Sequence, residues 1–309
     1  MKGEMMNYKS FALAATLLSS LWSNSSMAAK AAQDSAAEAL SALAIMEKMD
    51  LQQRNISDGT LTRSQLSTCK FGTSNKQINC TENPRIKVLE SISKQYGADK
   101  KDSKGVSILL EPASERGIGM LTYNYDDPNR DTESWLYLSA LGNVKRMASG
   151  TGEDREPVSV FGSEFTTEDM ETGNIDEYSY QIMQEGPFNG RDVWVIEALP
   201  KPERLAKTEY SKLLYWIDKE RFTIVKAQTY DKRGKPYKQI LFKDIELING
   251  FWVARDVTLI NIQSQRLSNM KTEAITMNVE VEDEFLTQRT LTDFAYREKT
   301  LEALRQSFR

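Results

Sequence analysis

Two acidic pairs, Asp126-Asp127 in "YNYDDPN" and Glu168-Asp169 in "FTTEDME", carry the residue types of a carboxylate-pair hydrolase. That chemistry needs two carboxyl groups opposed across a substrate, one to protonate a leaving group and one to attack or to activate water. Asp126-Asp127 falls in a polar tip, and Glu168-Asp169 in the first turn of a short helix, so turn and capping roles account for both without catalysis. None of the 309 residues is histidine. This excludes Ser-His-Asp and Cys-His nucleophilic schemes and most catalytic zinc sites. The chain reads as a non-enzyme with no cofactor and no metal.

The two cysteines, Cys69 and Cys80 in "CKFGTSNKQINC", allow three readings. An oxidising compartment makes them a disulfide that closes a hairpin or loop. A redox pair wants two intervening residues and a helix start, and a metal site wants further ligands. The spacing favours structural pairing.

Residues 1–28 read as a secretory leader: a weakly cationic start, the apolar run "SFALAATLLSSLW", and "SMA" as the cleavage pattern, with cutting expected after Ala28. The run is shorter than the roughly 20 residues that span a bilayer. Removing the leader leaves 38 basic and 43 acidic residues, a net charge of −5. That balance argues against a nucleic-acid partner, which requires a concentrated basic face. The expected mature chain, residues 29–309, is a single exported domain located in the periplasm and at most peripheral to a membrane.

The segment 30–53 is rich in Ala, Leu and Met with neither Gly nor Pro, and predicts a helix. From Ile86 the period changes to two and predicts about ten or eleven strands, each beside its sequence neighbour. Asn189-Gly190 and Asn249-Gly250 tolerate the positive φ of tight hairpins. A short helix over 162–173, capped by Ser163 or Thr166, interrupts the series, and a helix over about 292–308 ends it. Within strands, alternation groups Trp194 with Ile196, Leu214 with Trp216, and Ile240 with Phe242. It also places Ile275, Met277, Val279 and Val281 on one face. A sheet this wide must curl or close, and these faces sum to one apolar concavity. In "SWLYLSAL" large apolar groups stand on both faces of one strand; Leu136 and Leu138 are expected to look inward.

The stretches "MLTYNYDDPNRDTESWLYLSALGNVKRMA", "VFGSEFTTEDME" and "YSKLLYWIDKERFTIVKAQTYDKRGKPYKQILFKDIELINGFWVARDVTLINI" carry a resemblance. Tyr123 to Asp127, Trp135-Leu136-Tyr137-Leu138 with Lys145-Arg146, Phe161-Gly162-Ser163 with Glu168-Asp169, and Trp216-Ile217-Asp218 together make the chain similar to the LolA-like family of outer-membrane lipoprotein-sorting proteins. Within it the chain resembles the branch that accompanies exporters of the resistance-nodulation-division type. The likeness runs from about Lys104 to Leu291. The Cys69 to Cys80 loop, and Ser139 where a proline often follows "WLYL", depart from the pattern.

The resemblance implies an incompletely closed antiparallel β-barrel with helical plug or lid, holding acyl chains inside. The expected lipid-binding cavity is Leu136, Leu138, Trp194, Ile196, Leu214, Trp216, Ile240, Phe242 and Met277, with Phe161 and Phe165 on the lid. The expected function is a periplasmic carrier of lipid or lipoprotein acyl chains, moving them toward the outer membrane with an inner-membrane exporter. The alternative is a non-enzymatic adaptor of such a transporter that binds a protein segment.

Overall fold

The computed structural model describes residues 40–54, 57–74, 77–127, 129–147, 158–170 and 174–308. The leader 1–28 lies outside the described residues, as does the first part of the helix expected over 30–53. The described part of that helix, α1, runs Ala42–Arg54 and buries Ile45, Met46 and Met49.

Among the described residues, fourteen strands form one antiparallel sheet: β1 (Gly59–Ser74), β2 (Gln77–Cys80), β3 (Arg85–Tyr96), β4 (Asp102–Glu111), β5 (Gly119–Asn124), β6 (Glu133–Leu138), β7 (Asn143–Met147), β8 (Tyr178–Phe188), β9 (Arg191–Pro200), β10 (Lys212–Asp218), β11 (Ile224–Tyr230), β12 (Pro236–Ile248), β13 (Phe251–Asn261) and β14 (Arg266–Met277). Their order is β7-β6-β5-β4-β3-β1-β14-β13-β12-β11-β10-β9-β8, with β2 paired to β1 alone. Most sequence neighbours pair, as the hairpin signals predict; β1 pairs past the short β2 with β3, and the two halves are joined where β1 lies against β14. No pairing joins β7 to β8 among the described residues, so the sheet is not closed. Asn189-Gly190 and Asn249-Gly250 turn with φ of 48° and 78°, and of 50° and 86°.

The strand count exceeds the expected ten or eleven because β1, β2 and β7 lack an apolar alternation. On β1 the side that carries Leu66 also carries Thr60, Thr62, Ser64 and Thr68, which gives no period-two signal. The last strand is also displaced. It ends at Met277, where Asn278 takes φ 59°, and Val279 and Val281 then cross to the other face of the sheet. The expected single face through Ile275, Met277, Val279 and Val281 is therefore corrected to two.

One apolar cluster takes residues from β1, β3, β4, β5, β11, β12 and β13, among them Leu66, Leu89, Leu109, Met120, Ala227, Ile240 and Leu259. The run from β5 to β11 would span about 34 Å if flat, at the usual interstrand spacing. A single cluster touching all of it requires the sheet to curl around that face, the inner face.

The outer face carries the second cluster. Leu61, Ile92, Val106, Ile108 and Leu121 meet Phe285, Leu286, Leu291 and Leu301 from the C-terminal segment, which contains a 3-10 turn (Asp283–Leu286) and two further helices (Gln288–Thr292 and Phe294–Arg305). Trp135 and Tyr137 of β6 pack here, Trp135 edge-on to Tyr123 at 4.9 Å. The C-terminal segment is thus what covers the second face of "SWLYLSAL". Gly119 makes the approach possible, since a Cβ there would meet the Ile108 and Leu291 side chains at 2.7 and 2.8 Å.

Two local devices fix the periphery. Cys69 and Cys80 are bonded and tie β2 to β1, with a Cα separation of 5.8 Å. At the end of β10, burial pushes the Asp218 carboxyl up, but the Arg191 guanidinium and the backbone N–H groups of Arg221 and Glu220 outweigh it and hold its pKa below the ordinary value of 3.8. Arg191 donates to it at 2.6 and 3.1 Å.

Replacing both cysteines by serine should cost about 3 kcal/mol by loop-closure entropy, read from urea denaturation under oxidising conditions. The lowered Asp218 pKa gives stability that is complete above the unfolded-state value and is lost as pH falls through the folded one. Asp218→Asn should therefore lower the melting temperature at neutral pH, and the difference from the parent should shrink as pH drops below 3.8. A pH-independent gap would contradict this.

Candidate functional site

The inner cluster is completed by a segment that belongs to no strand of the sheet. In "VSVFGSEFTTEDM", Val158, Val160, Phe161 and Phe165 are all buried, with Phe165 only 2% exposed. They lie against Leu66, Leu89, Met120, Ile240 and Leu259. Burying one such aromatic contributes about 2 to 3 kcal/mol. The segment is a small hairpin: Ser159 bridges Thr166, the Val160 N–H donates to the Phe165 carbonyl at 2.8 Å, and the Thr167 N–H donates to that of Val158 at 2.9 Å. It turns at Phe161-Gly162 with φ of 51° and 73°. A left-handed conformation costs a bulky residue such as Phe161 about 1 to 2 kcal/mol, which the surrounding contacts must offset. Lys87 on β3 helps by donating to the Phe161 carbonyl at 2.8 Å.

Each carboxylate of this strap ends in its own set of donors. Glu164 accepts from Asn261 Nδ2 at 2.8 Å and from Arg266 Nε at 3.0 Å, and its backbone N–H donates to Ser268 Oγ at 2.9 Å. Glu168 accepts from Arg204 at 3.1 Å, from the Thr208 hydroxyl and from the Glu209 N–H. Asp169 accepts from Lys238 Nζ at 2.5 Å and from the Tyr210 hydroxyl. It also accepts from the N–H and hydroxyl of Thr166, which caps the single-turn helix α2 (Thr167–Met170). Thr166, of the two expected candidates, is the capping residue; the Ser163 hydroxyl donates to the Val160 carbonyl instead. Burial and the Asp169 and Glu168 carboxylates push the Tyr210 pKa well up, so its hydroxyl stays protonated and donating.

The Lys238–Asp169 pair is the most enclosed, with side chains 2% and 1% exposed. Buried charges of this kind are tolerated only when fully paired and hydrogen-bonded. Sequence reading passed over Lys238, although strict alternation along "KQILF" puts it on the face of Ile240 and Phe242. A lysine in register with two core residues is the signal that could have found it.

The expected cavity residues divide between the faces. Ile240 is in the inner cluster and Phe242 packs against it. Leu136 lies opposite Met120, an inner residue, and Leu138 shares its side. Trp194 and Ile196 fall on the side of Tyr215, which touches the inner cluster. Met277 lies on the inner side at the end of β14, opposite Thr60. Leu214 and Trp216 do not join them. They alternate with Tyr215 and so face outward, where Trp216 meets Phe188 and the Lys226 ammonium. The difference from expectation is one of parity: β10 is apolar on both faces, and the face that carries Tyr215, not that of Leu214 and Trp216, is the inner one. Phe161 and Phe165, expected on the lid, are part of the strap.

The open space also differs from expectation. The apolar inner face is occupied by the strap, whereas an open cavity of about 540 Å³ is lined by polar groups, including Asp50 and Arg54 of α1, Lys101, Asp126, Arg130 and Glu177. Of the acidic pairs, Asp126 sits in this cavity with Lys101 at 3.4 Å, and Glu168 and Asp169 are committed to the strap.

Asp169→Asn should cost about 3 to 5 kcal/mol, because Lys238 is left charged and unpaired in the interior. Adding Lys238→Met should recover part of that loss. Urea denaturation of the two single variants and the double variant measures the coupling, and additive effects would refute a mutually dependent pair.

The chain matches, over residues 101–293, a family described as an uncharacterized protein. No curated protein matches it in sequence. Among solved structures it is similar to a DUF1329 family protein from Desulfovibrio piger, with a TM-score of 0.70 and 22% identity over 81% of this chain and 97% of the other. It is similar to a putative outer membrane lipoprotein-sorting protein domain from Vibrio parahaemolyticus, with a TM-score of 0.69 and 21% identity over 81% and 98%. It is also similar to a LolA superfamily protein from Nitrosomonas europaea, with a TM-score of 0.59 and 18% identity over 81% and 98%. An unclosed antiparallel sheet curled around its own strap, matched over 81% of the chain by these structures, has the LolA-like fold of outer-membrane lipoprotein-sorting domains, and the chain belongs to the uncharacterized family that spans its residues 101–293.

Proposed function

We propose that the protein is a non-enzymatic periplasmic carrier that binds acyl chains of a lipid or lipoprotein on its inner face, exchanging its own strap for the cargo. The observation that supports this reading is the composition of the inner cluster. One side is sheet, fixed by strand pairing; the other is a hairpin whose hold depends on polar contacts made through Glu164, Glu168 and Asp169. Withdrawing Val160, Phe161 and Phe165 would uncover Leu66, Leu89, Met120, Ile240 and Leu259 together. Such a surface gains about 0.8 kcal/mol for each methylene it takes from water. The strap therefore competes with cargo for one site, which gives a carrier a means of release. Removal of the leader after Ala28 and cooperation with an inner-membrane exporter complete the proposal.

A protein-segment adaptor is the second reading, favoured by the fact that the inner face is filled in this structure. The two readings differ in what the purified protein retains. Native mass spectrometry with lipid extraction should show a bound amphiphile for the carrier. Glu164→Gln, which weakens the contacts to Arg266 and Asn261, should speed uptake of a fluorescent fatty-acid probe. Phe242→Trp should reduce loading with the sheet intact by circular dichroism. A protein that neither retains nor accepts an amphiphile, in the parent and in Glu164→Gln, would overturn the carrier reading.

A further inference from the structure

On the outer face, away from the strap, the C-terminal helix Phe294–Arg305 and the turn after β4 enclose a second pocket of about 370 Å³. Four arginines line it, Arg63, Arg116, Arg297 and Arg305, against three carboxylates, Glu90, Glu111 and Glu298. The balance is less even than these numbers suggest, because two of the acids are already engaged. Glu90 is buried and takes three hydrogen bonds of 2.7 to 3.0 Å from Arg305. Glu298 accepts from Arg305 at 3.1 Å.

The other three guanidinium groups are incompletely matched. Arg297 is 3% exposed and donates through Nη1 to the Thr290 and Leu291 carbonyls. Its Nε is buried without a hydrogen-bond partner, the Glu298 carboxylate standing off at 3.5 Å. Arg116 donates through Nε to the Leu110 carbonyl, and no ion pair of Arg116 occurs among the described residues. Arg63 reaches Glu273 only at 4.0 Å. A buried unsatisfied donor is costly, and guanidinium forks match tetrahedral oxyanions in geometry and charge. Beside these groups lie Ile108 and Phe294, the latter 62% exposed, which offer apolar contact to whatever the anion is attached to.

We propose that this pocket binds a phosphate ester, with Arg63, Arg116 and Arg297 on the phosphate and Phe294 against the ester's carbon skeleton. The ester belongs either to a soluble metabolite or to a phospholipid headgroup. The site is on the opposite face of the sheet from the acyl-binding surface proposed above and stands or falls without it.

Calorimetric titration of the full chain with sn-glycerol 3-phosphate should give saturable binding. Arg116→Gln and Arg63→Gln should each weaken it about tenfold, as expected for loss of one charge-assisted hydrogen bond. Arg289→Gln, an exposed arginine of the same C-terminal segment outside the pocket, should not change it. Co-sedimentation with phosphatidylglycerol vesicles that is absent with phosphatidylcholine vesicles, and lost in Arg116→Gln, assigns the ester to a lipid headgroup. Binding of the soluble ester without co-sedimentation assigns it to a metabolite. Absence of saturable binding to either probe, or equal affinity in the parent, Arg116→Gln and Arg63→Gln, would overturn the proposal.

Discussion

Apolar side chains on both faces of a curled sheet have to be removed from water on both sides at once. Adjacent residues of β5 show the demand: Met120 points to the inner cluster and Leu121 to the outer one. A two-stranded pairing between the edges would have closed the sheet but would not have covered either surface. The chain answers with two different kinds of cover. Outside, the segment after β14 supplies long apolar contacts and the Arg305–Glu90 grip. Inside, a short hairpin supplies two phenylalanines and is held by carboxylates.

The difference between the covers is physical. Hydrophobic burial is non-directional and tolerates small displacements, so the C-terminal segment behaves as part of the core. The strap depends on directed contacts, and those of Asp169 are shielded from water while those of Glu164 border on solvent. The Glu164 contacts are thus the ones water can reach, while the Lys238–Asp169 pair holds the base of the hairpin in the interior. Specificity from a buried ion pair, rather than net stability, is a role such pairs are known to take.

Much of this was legible in the residues. Period-two alternation located eleven strands, the Asn-Gly pairs located two hairpins, and the two-faced "WLYL" showed that a second cover had to exist. What alternation cannot do is say which face is inside when both are apolar, and Leu214 and Trp216 fell to that ambiguity. It is silent on β1, whose inner side is mostly hydroxyls. It also cannot reveal partners distant in sequence, so Glu168 and Asp169 were recognised as a motif while Arg204, Tyr210 and Lys238, which give that motif its role, were not. The disulfide was readable because its two members are close in the chain; the outer arginine pocket was not, because its members come from β1, β3, β4 and the last helix.

The pairing of β1 with β14 sits in the middle of the sheet and unites Thr60 with Met277. Hairpins on either flank can assemble locally as each emerges, but the seam has no second half until the chain has reached β14, Arg266–Met277. Contacts between such remote residues make folding slow. A nascent chain must meanwhile keep both edges of that seam, β1 and later β13, from pairing with other molecules. A chain that stopped short of Arg266 would lack all of β14 and would keep two unjoined half-sheets.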